Sequence, residues 1–109
     1  ARLIVPQLLK RVPRPDGIFA VNDLTAAEAL KIIKAAGLKI PADISVVGFT
    51  SGMISDITDP PLTSVEQHGY TIGREAARIL IERIENRAPE SPVTRIIQTL
   101  LVIKGTSRK

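Results

Sequence analysis

The sequence predicts an α/β protein with an open, mainly parallel sheet flanked by helices. Short runs that are apolar on both faces, such as residues 18–21 and 44–49, are typical of strands buried in a parallel sheet. Longer segments with helical spacing separate these runs. With one Tyr and two Phe in the chain, the core must be aliphatic, as in sheets covered by helices. We expect the order α-β-α-β-(turn)-β-α-β, with right-handed crossovers between parallel strands.

The first helix and the first strand are predicted near the start of the chain. Residues 1–12 place apolar side chains near helical spacing, which Pro6 permits only if the helix begins close to it. Residues 14–17 have the composition of a turn and lead into the apolar run 18–21. This run is the first predicted strand.

A helix is predicted over residues 23–36, because its apolar positions follow a 3.6-residue period. Asn22 or Asp23 is expected as its N-cap, and Gly37 stands where a glycine commonly ends a helix. The next strand is predicted at residues 44–49.

The second half of the chain has weaker signals before its last helix. Residues 53–58 are expected to form one helical turn, and residues 62–65 a third strand. Residues 70–85 predict a helix whose apolar stripe is wider than that of a surface helix, so it needs partners on two sides. Residues 93–104 alternate weakly and suggest one or two strands.

The charge and composition exclude several classes of protein. The net charge is +4, but basic residues are dispersed and become denser only at Lys104, Arg108 and Lys109. We interpret them as a solvated surface and a frayed tail, since a nucleic-acid site needs a basic stripe on one face. Cysteine is absent, which agrees with a reducing compartment, and no apolar run approaches the roughly 20 residues that span a bilayer. The start has neither an initiator Met nor a signal-peptide pattern, so the chain is expected to be a fragment.

No catalytic, metal or cofactor site is expected. His68, the single histidine, has no serine nucleophile pattern or second metal ligand near it in sequence. The aspartates are explained by turns and caps, and the glycines form neither GxGxxG nor a phosphate-binding loop. The sequence therefore does not predict an enzyme.

Polar residues follow each of the three predicted parallel strands. They are the pairs Asn22-Asp23, Thr50-Ser51 and Glu66-Gln67. Because ligands of open α/β sheets bind at the carboxyl ends of the strands, these pairs predict a site for a polar ligand. Helix capping alone would account equally well for the first pair.

Three sequence blocks resemble the last third of the effector-binding core of the lac and purine repressor family. They are PDGIFAVNDLTAAEALKIIKAAGLKIPADISVVGFT, ITDPPLTSVEQ and IGREAARILIERI, in the order and spacing of the family. The resemblance covers almost the whole chain from Pro15 onward. It implies a type I periplasmic-binding-protein-like core of two subdomains, with the effector held between them, of which this chain is an incomplete C-terminal part.

The resemblance also implies a domain organisation. Residues 1–66 correspond to the C-terminal effector-binding subdomain, 67–69 to a crossing between subdomains, 70–86 to a helix of the N-terminal subdomain, and 87–109 to a linker and returning strands. The sheet on which the helix should pack is missing, so we expect the fragment to dimerise or to exchange this helix.

The site residues carried over from the family are Asn22, Asp23, Thr50 and Gln67. Asn22 matches the position whose amide reaches the effector, and Thr50 stands where many members have an Asp that binds sugar hydroxyls or a base. A hydroxyl is a weaker acceptor than a carboxylate, so the effector class does not transfer directly. Gln67, His68 and Gly69 are the expected hinge.

The resemblance places a homodimer surface on two segments of the chain. It would comprise Thr25, Ala26, Ala29, Met53, Ile54 and Ile57. Ordinary surface or intramolecular packing is the alternative explanation for these small and apolar residues.

The implied function is that of the effector-sensing and dimerising part of a cytoplasmic transcriptional regulator. Its effector would be small and polar, like a sugar, and operator DNA would be bound by a headpiece absent from this chain. The alternative is a periplasmic sugar-binding protein of a transport system, which has the same core. The sequence upstream of Ala1 distinguishes them, through a helix-turn-helix or a signal peptide.

Overall fold

The computed structural model describes residues 1–108, and its elements follow the predicted succession. The helices and strands are α1 Ile4–Leu9, β1 Gly17–Phe19, α2 Asp23–Ala35, β2 Ser45–Thr50, α3 Met53–Ile57, β3 Thr63–Glu66, α4 Gly69–Ile84 and β4 Leu100–Val102. The chain forms two compact units. The first comprises residues 1–66 with the segment from Leu100 on, and the second comprises Gln67–Thr99.

The four strands form one sheet in the order β1-β2-β3-β4. β1 and β3 both run parallel to β2, and β4 runs antiparallel to β3. Thr50, the last residue of β2, pairs with Glu66, the last residue of β3. The predicted open, mainly parallel sheet is confirmed, with one antiparallel strand at its edge.

Helix α1 is shorter than the predicted 1–12 at both ends, and Pro6 limits where it can begin. The helix starts at Ile4, which puts Pro6 in its first turn, where a missing N–H leaves no intrahelical bond unmade. Val5 is the buried residue of this helix and joins the core.

Helix α2 has a cap at each end. Asn22 is the N-cap, and its side-chain oxygen accepts a hydrogen bond of 2.8 Å from the Thr25 N–H. Past the other end, Gly37 has a φ of 79°, and Leu38 N–H donates to the Ile33 carbonyl over 3.2 Å. This is a Schellman ending, which requires the left-handed conformation that glycine adopts without strain.

The core of the first unit lies between α2 and the sheet. It is aliphatic, as the sequence predicts, and its buried side chains are Val5, Ala20, Ala26, Ala29, Leu30, Ile33, Ile44, Val46 and Leu62. The apolar buried face of α2 therefore consists of two alanines, a leucine and an isoleucine that pack against β2. Ile44 and Leu62, which directly precede β2 and β3, belong to the same core.

The C-terminal segment is pinned to the sheet. Thr106 is fully buried; its hydroxyl donates to the Val46 carbonyl over 2.6 Å and accepts from the Thr63 N–H over 2.8 Å. Arg108 donates to the Ala42 carbonyl over 2.6 Å. The prediction of a frayed tail is therefore wrong for residues 104–108, and Lys109 lies outside the described residues.

The second unit contains α4, in which no residue is buried. On its polar face Arg78 binds two carboxylates, that of Glu75 over 2.7 Å and that of Glu82 over 2.6 Å. Exposed apolar residues occupy other positions of the helix, among them Leu80 and Ile84. Within the described residues of this unit, Ile79 of the predicted wide apolar stripe is half-buried and lines a small cavity with Pro89 and Val93, whereas the rest of the stripe is exposed.

Candidate functional site

A pocket of about 410 Å³ opens where β1 and β2 end in the first unit. It is lined by Asn22, Asp23, Leu24, Thr50, Gly52, Met53 and Ile54. Three of the four residues predicted to bind an effector are therefore in one wall. The position agrees with the expectation that polar groups gather at the carboxyl ends of parallel strands.

Asn22 uses only part of its amide within the protein. Its oxygen accepts from the Thr25 N–H, as the N-cap of α2. The amide NH₂ group has no hydrogen-bond partner among residues 1–108, and the side chain is exposed. Asn22 can therefore cap the helix and still donate to a ligand.

Asp23 is buried, with 3% of its surface exposed. One carboxylate oxygen accepts from the Ser64 hydroxyl over 2.5 Å, and the other accepts from the Gly52 N–H over 3.2 Å. Each oxygen thus has a protein donor, so Asp23 ties the start of α2 to β3 and to the loop after β2. Because Asp23 also lines the pocket and a carboxylate oxygen can accept a second hydrogen bond, its role in effector binding stays a prediction.

Ser64 is a site residue that the sequence did not reveal. Its buried hydroxyl donates to Asp23 and accepts from the Ser51 N–H over 3.0 Å. One serine thus fixes both the carboxylate and the loop after β2. The signal was faint, since a serine in a short strand is an ordinary feature.

Gly48 is required by the position of Asp23. A Cβ atom at residue 48 would collide with the Asp23 carboxylate and would come within 2.9 Å of a Leu62 methyl group. The absence of a side chain in the middle of β2 therefore lets the carboxylate reach Ser64.

The chain turns sharply directly after the pocket residue Thr50, the last residue of β2. Ser51 has a φ of 55°, a left-handed conformation that a serine rarely adopts. Its N–H bond to Ser64 and the neighbouring bond from Gly52 to Asp23 hold this conformation. Strain of this kind, held by surrounding contacts, is concentrated at binding sites.

The expected hinge residues come directly after β3. Gln67 is the first residue of the second unit, and His68 precedes α4 with a φ of 56°. Gly69 is the first residue of α4. The roles of Gln67 in effector binding and of all three residues in a hinge stay predictions.

The predicted dimer surface needs a correction. Ala26 and Ala29 are fully buried in the core beneath α2, so they cannot contact a second chain. Met53 is 78% exposed, and both Met53 and Ile54 line the pocket described above. Two residues of the predicted dimer surface therefore line the same pocket as three of the predicted effector-binding residues.

Ile57 and Thr25 are the remaining members of the predicted dimer surface. Ile57 is exposed at the end of α3, one turn after Met53, and Thr25 is half-buried in the first turn of α2. An exposed apolar side chain at each turn of α3 gives this short helix an apolar outer edge.

The described part of the chain has neither a cluster of metal ligands nor a helix that could span a membrane. Residues 1–108 hold no group of three or more His, Cys, Asp or Glu side chains that could bind a metal ion. Within the same residues, every helix is too short or too polar to cross a bilayer.

An open, mainly parallel sheet with a pocket at the carboxyl ends of its strands, lined by a few polar groups and apolar side chains, defines a ligand-binding α/β domain. The comparison with known families agrees. The chain belongs to the periplasmic binding protein-like domain family, whose match covers residues 1–107.

The curated relatives are transcriptional regulators. The chain is 38% identical over 98 residues to the HTH-type transcriptional regulator CelR of Thermobifida fusca, covering 90% of this chain and 28% of that protein. It is 36% identical over 102 residues to the HTH-type transcriptional repressor CytR of Escherichia coli strain K12, covering 94% and 30%. The chain thus spans less than a third of the length of these relatives.

Solved structures give the same result. The CelR–cellobiose complex superposes with a TM-score of 0.89 at 36% identity, covering 94% of this chain and 31% of that one. The lac repressor dimer bound to operator and an anti-inducer has a TM-score of 0.80 at 26% identity, covering 94% and 36%. The resemblance to the lac and purine repressor family is confirmed, and these relatives are regulators rather than enzymes.

Proposed function

We propose that this chain is the effector-sensing part of a transcriptional regulator of the lac repressor type, and that its pocket binds a sugar or a sugar derivative. The single observation that carries the proposal is the placement of Asn22 and Thr50 in one pocket wall at the strand ends. Support comes from the CelR relative, whose structure is described as a complex with cellobiose.

The transport alternative has less support, because the relatives named above are regulators. In the proposed protein, the second half of the pocket and the DNA-binding headpiece lie in sequence outside this chain. Residues 1–66 belong to the C-terminal subdomain, and residues 67–69 cross between the subdomains. Residues 70–86 form a helix of the N-terminal subdomain, and residues 87–109 form a linker and the returning strands. The protein acts in the cytoplasm, where its operator is.

Effector binding would act by shifting the population of two core states that hold the headpieces at different spacings. The homodimer surface that couples these states includes Thr25, Met53, Ile54 and Ile57. Met53 and Ile54 also line the pocket, so a ligand there would contact the same short helix that faces the second chain.

The test uses the intact protein and DNA from upstream of its own gene. Gel-shift titrations are run with and without cellobiose, ribose, lactose, N,N′-diacetylchitobiose and uridine, and thermal melts are recorded with each ligand. We expect specific DNA binding whose affinity changes with at least one of these ligands, and the same ligand should raise the melting temperature. Specific DNA binding that none of them alters, or a signal peptide upstream of Ala1, would refute the proposal.

A pair of variants tests the role of Asn22. Asn22→Ala should lower effector affinity by about 1–3 kcal/mol while operator binding persists. Asn22→Ser keeps a capping oxygen but removes the amide. Both variants should lose affinity in titration calorimetry, and only the alanine variant should also lose stability through the missing cap.

A further inference from the structure

The pocket wall offers one strong donor to a ligand, the amide of Asn22. The Asn22 oxygen already accepts from the Thr25 N–H, whereas the NH₂, which only donates, has no partner among residues 1–108. The ligand atom that meets this amide must therefore accept a hydrogen bond.

The one carboxylate in the same wall is already engaged by protein donors. Both oxygens of Asp23, the only acidic residue lining the pocket, are bound to Ser64 and Gly52. The Thr50 hydroxyl donates to the Phe49 carbonyl, which leaves its neutral lone pairs as the acceptor that faces the pocket. A neutral hydroxyl accepts about half as strongly as a carboxylate.

The remaining surface of the wall is apolar. Leu24 and Met53 are exposed on it, and Ile54 lies beside them. The oxygen of a ligand hydroxyl placed here would accept from Asn22, but its proton would find only the neutral Thr50 oxygen or apolar side chains. Several hydroxyl groups in a row would therefore leave polar protons without a good acceptor, which weakens binding.

We infer that the effector presents to this wall a carbonyl group flanked by apolar surface, as in an N-acetylated sugar or the base of a nucleoside, and not a row of hydroxyl groups. The inference rests on the proposed function and narrows its ligand class. The carbonyl oxygen accepts from Asn22, has no proton to satisfy, and places its methyl group or ring against Leu24 and Met53.

The test measures dissociation constants of the intact protein for matched probes. Cellobiose and N,N′-diacetylchitobiose share a β-1,4-linked glucose backbone and differ in that acetamido groups replace two hydroxyls. Uridine is the nucleobase probe, with carbonyls on a ring. We expect at least one carbonyl probe to bind about tenfold more tightly than cellobiose. Tighter binding of N,N′-diacetylchitobiose would indicate an N-acetylated sugar as the effector, and tighter binding of uridine would indicate a nucleoside.

Asn22→Asp provides the decisive variant, because aspartate keeps the helix cap while an acceptor replaces the NH₂ donor. The carbonyl probe should lose about tenfold in affinity, and the ratio between it and cellobiose should reverse. The matched control is Asn86→Asp, which makes the same change of charge outside the pocket wall and should leave the ratio unchanged.

Three results would overturn the inference. They are a wild-type preference for cellobiose, a lack of binding by both carbonyl probes, and an unchanged probe ratio in Asn22→Asp. If cellobiose binds best, the proposed function stands and only the ligand class is refuted. The proposed function itself is decided separately, by the effect of sugars on operator binding.

Discussion

The Asp23 carboxylate and the Ser64 hydroxyl are joined by a hydrogen bond of 2.5 Å that links the start of α2 to β3. The bond passes over Gly48 of the intervening strand β2, where a side chain would block it. Because Gly52 donates to the other carboxylate oxygen, three parts of the first unit meet at this one buried acid. Four predictions follow from this and the other contacts of the structure.

Removal of the Asp23 carboxylate should destabilise the intact protein. Asp23→Ala leaves the Gly52 N–H and the Ser64 hydroxyl without their acceptor in a buried place, which should lower the free energy of unfolding by about 1–3 kcal/mol. Urea denaturation measures the change. Asp59→Ala is the control, since this side chain is 97% exposed and its pair with Lys34 should contribute less than about 0.5 kcal/mol. Equal losses in the two variants would contradict the structural role of Asp23.

A methyl group at residue 48 should disrupt the same bond. In Gly48→Ala the new Cβ meets the Asp23 carboxylate and a Leu62 methyl group, so we expect a loss of about 1–3 kcal/mol from overpacking. Gly17→Ala, also in a strand, has open space around its Cβ position and should change stability by less than about 0.5 kcal/mol. Thermal melts of both variants give the comparison. A stable alanine at 48 would mean that the carboxylate lies elsewhere.

The buried hydroxyl of Thr106 should be needed for the edge of the sheet. Thr106→Val keeps the shape of the side chain but leaves the Thr63 N–H without an acceptor and the Val46 carbonyl without a donor, at a loss of about 1–3 kcal/mol. Thr106→Ser keeps the hydroxyl and should lose less, since it removes only a methyl group. The midpoint of urea unfolding measures both. A serine variant less stable than the valine variant would refute the assignment.

The ion pairs of α4 predict how Glu75 titrates. The hydrogen bonds from Arg78 hold the pKa of Glu75 below its ordinary value of 4.5, and the charges of Arg95 and Arg74 act in the same direction. The stability that this pairing supplies is therefore complete above pH 4.5 and is lost as pH falls through the lower native pKa.

NMR titration of the Glu75 carboxyl carbon tests this directly. In Arg78→Met the pKa of Glu75 should move back up towards 4.5, because the hydrogen bond is the largest cause of its lowering. Arg83→Met removes a cation that is not among the causes and should leave the titration unchanged. A Glu75 pKa that is the same in wild type and Arg78→Met would show that the pair does not form.

The succession of elements could be predicted from the sequence because local patterns carry it. The runs around β1 and β2 are apolar on both faces, and α2 has its period and both caps within the chain segment itself. The strands β2 and β3 each lie one residue later than expected, since the last pair, Thr50 with Glu66, depends on the neighbouring strand. β1 ends two residues before the predicted limit, and β4 occupies only residues 100–102 of the predicted 93–104.

The parts that could not be predicted depend on distant partners. No residue near Thr106 in sequence indicates that its hydroxyl accepts from the N–H of Thr63, 43 residues earlier. The sequence alone therefore predicts a solvated end of the chain. Ala26 and Ala29 are small residues on a helix, and such residues fit a core or a second chain equally well. The sequence identifies Asp23 as a polar residue at a strand end. Its hydrogen bond with Ser64 joins residues that are 41 positions apart, and no local pattern predicts it.

The pairing of β4 with β3 has a consequence for synthesis on the ribosome. β3 is made before the whole second unit, and β4 is made after it. Until residues 100–106 emerge, β3 is an open edge with unpaired backbone groups, including the N–H of Thr63. The first unit therefore reaches its final form only after the second has been translated, and the nascent chain carries an aggregation-prone edge throughout that interval.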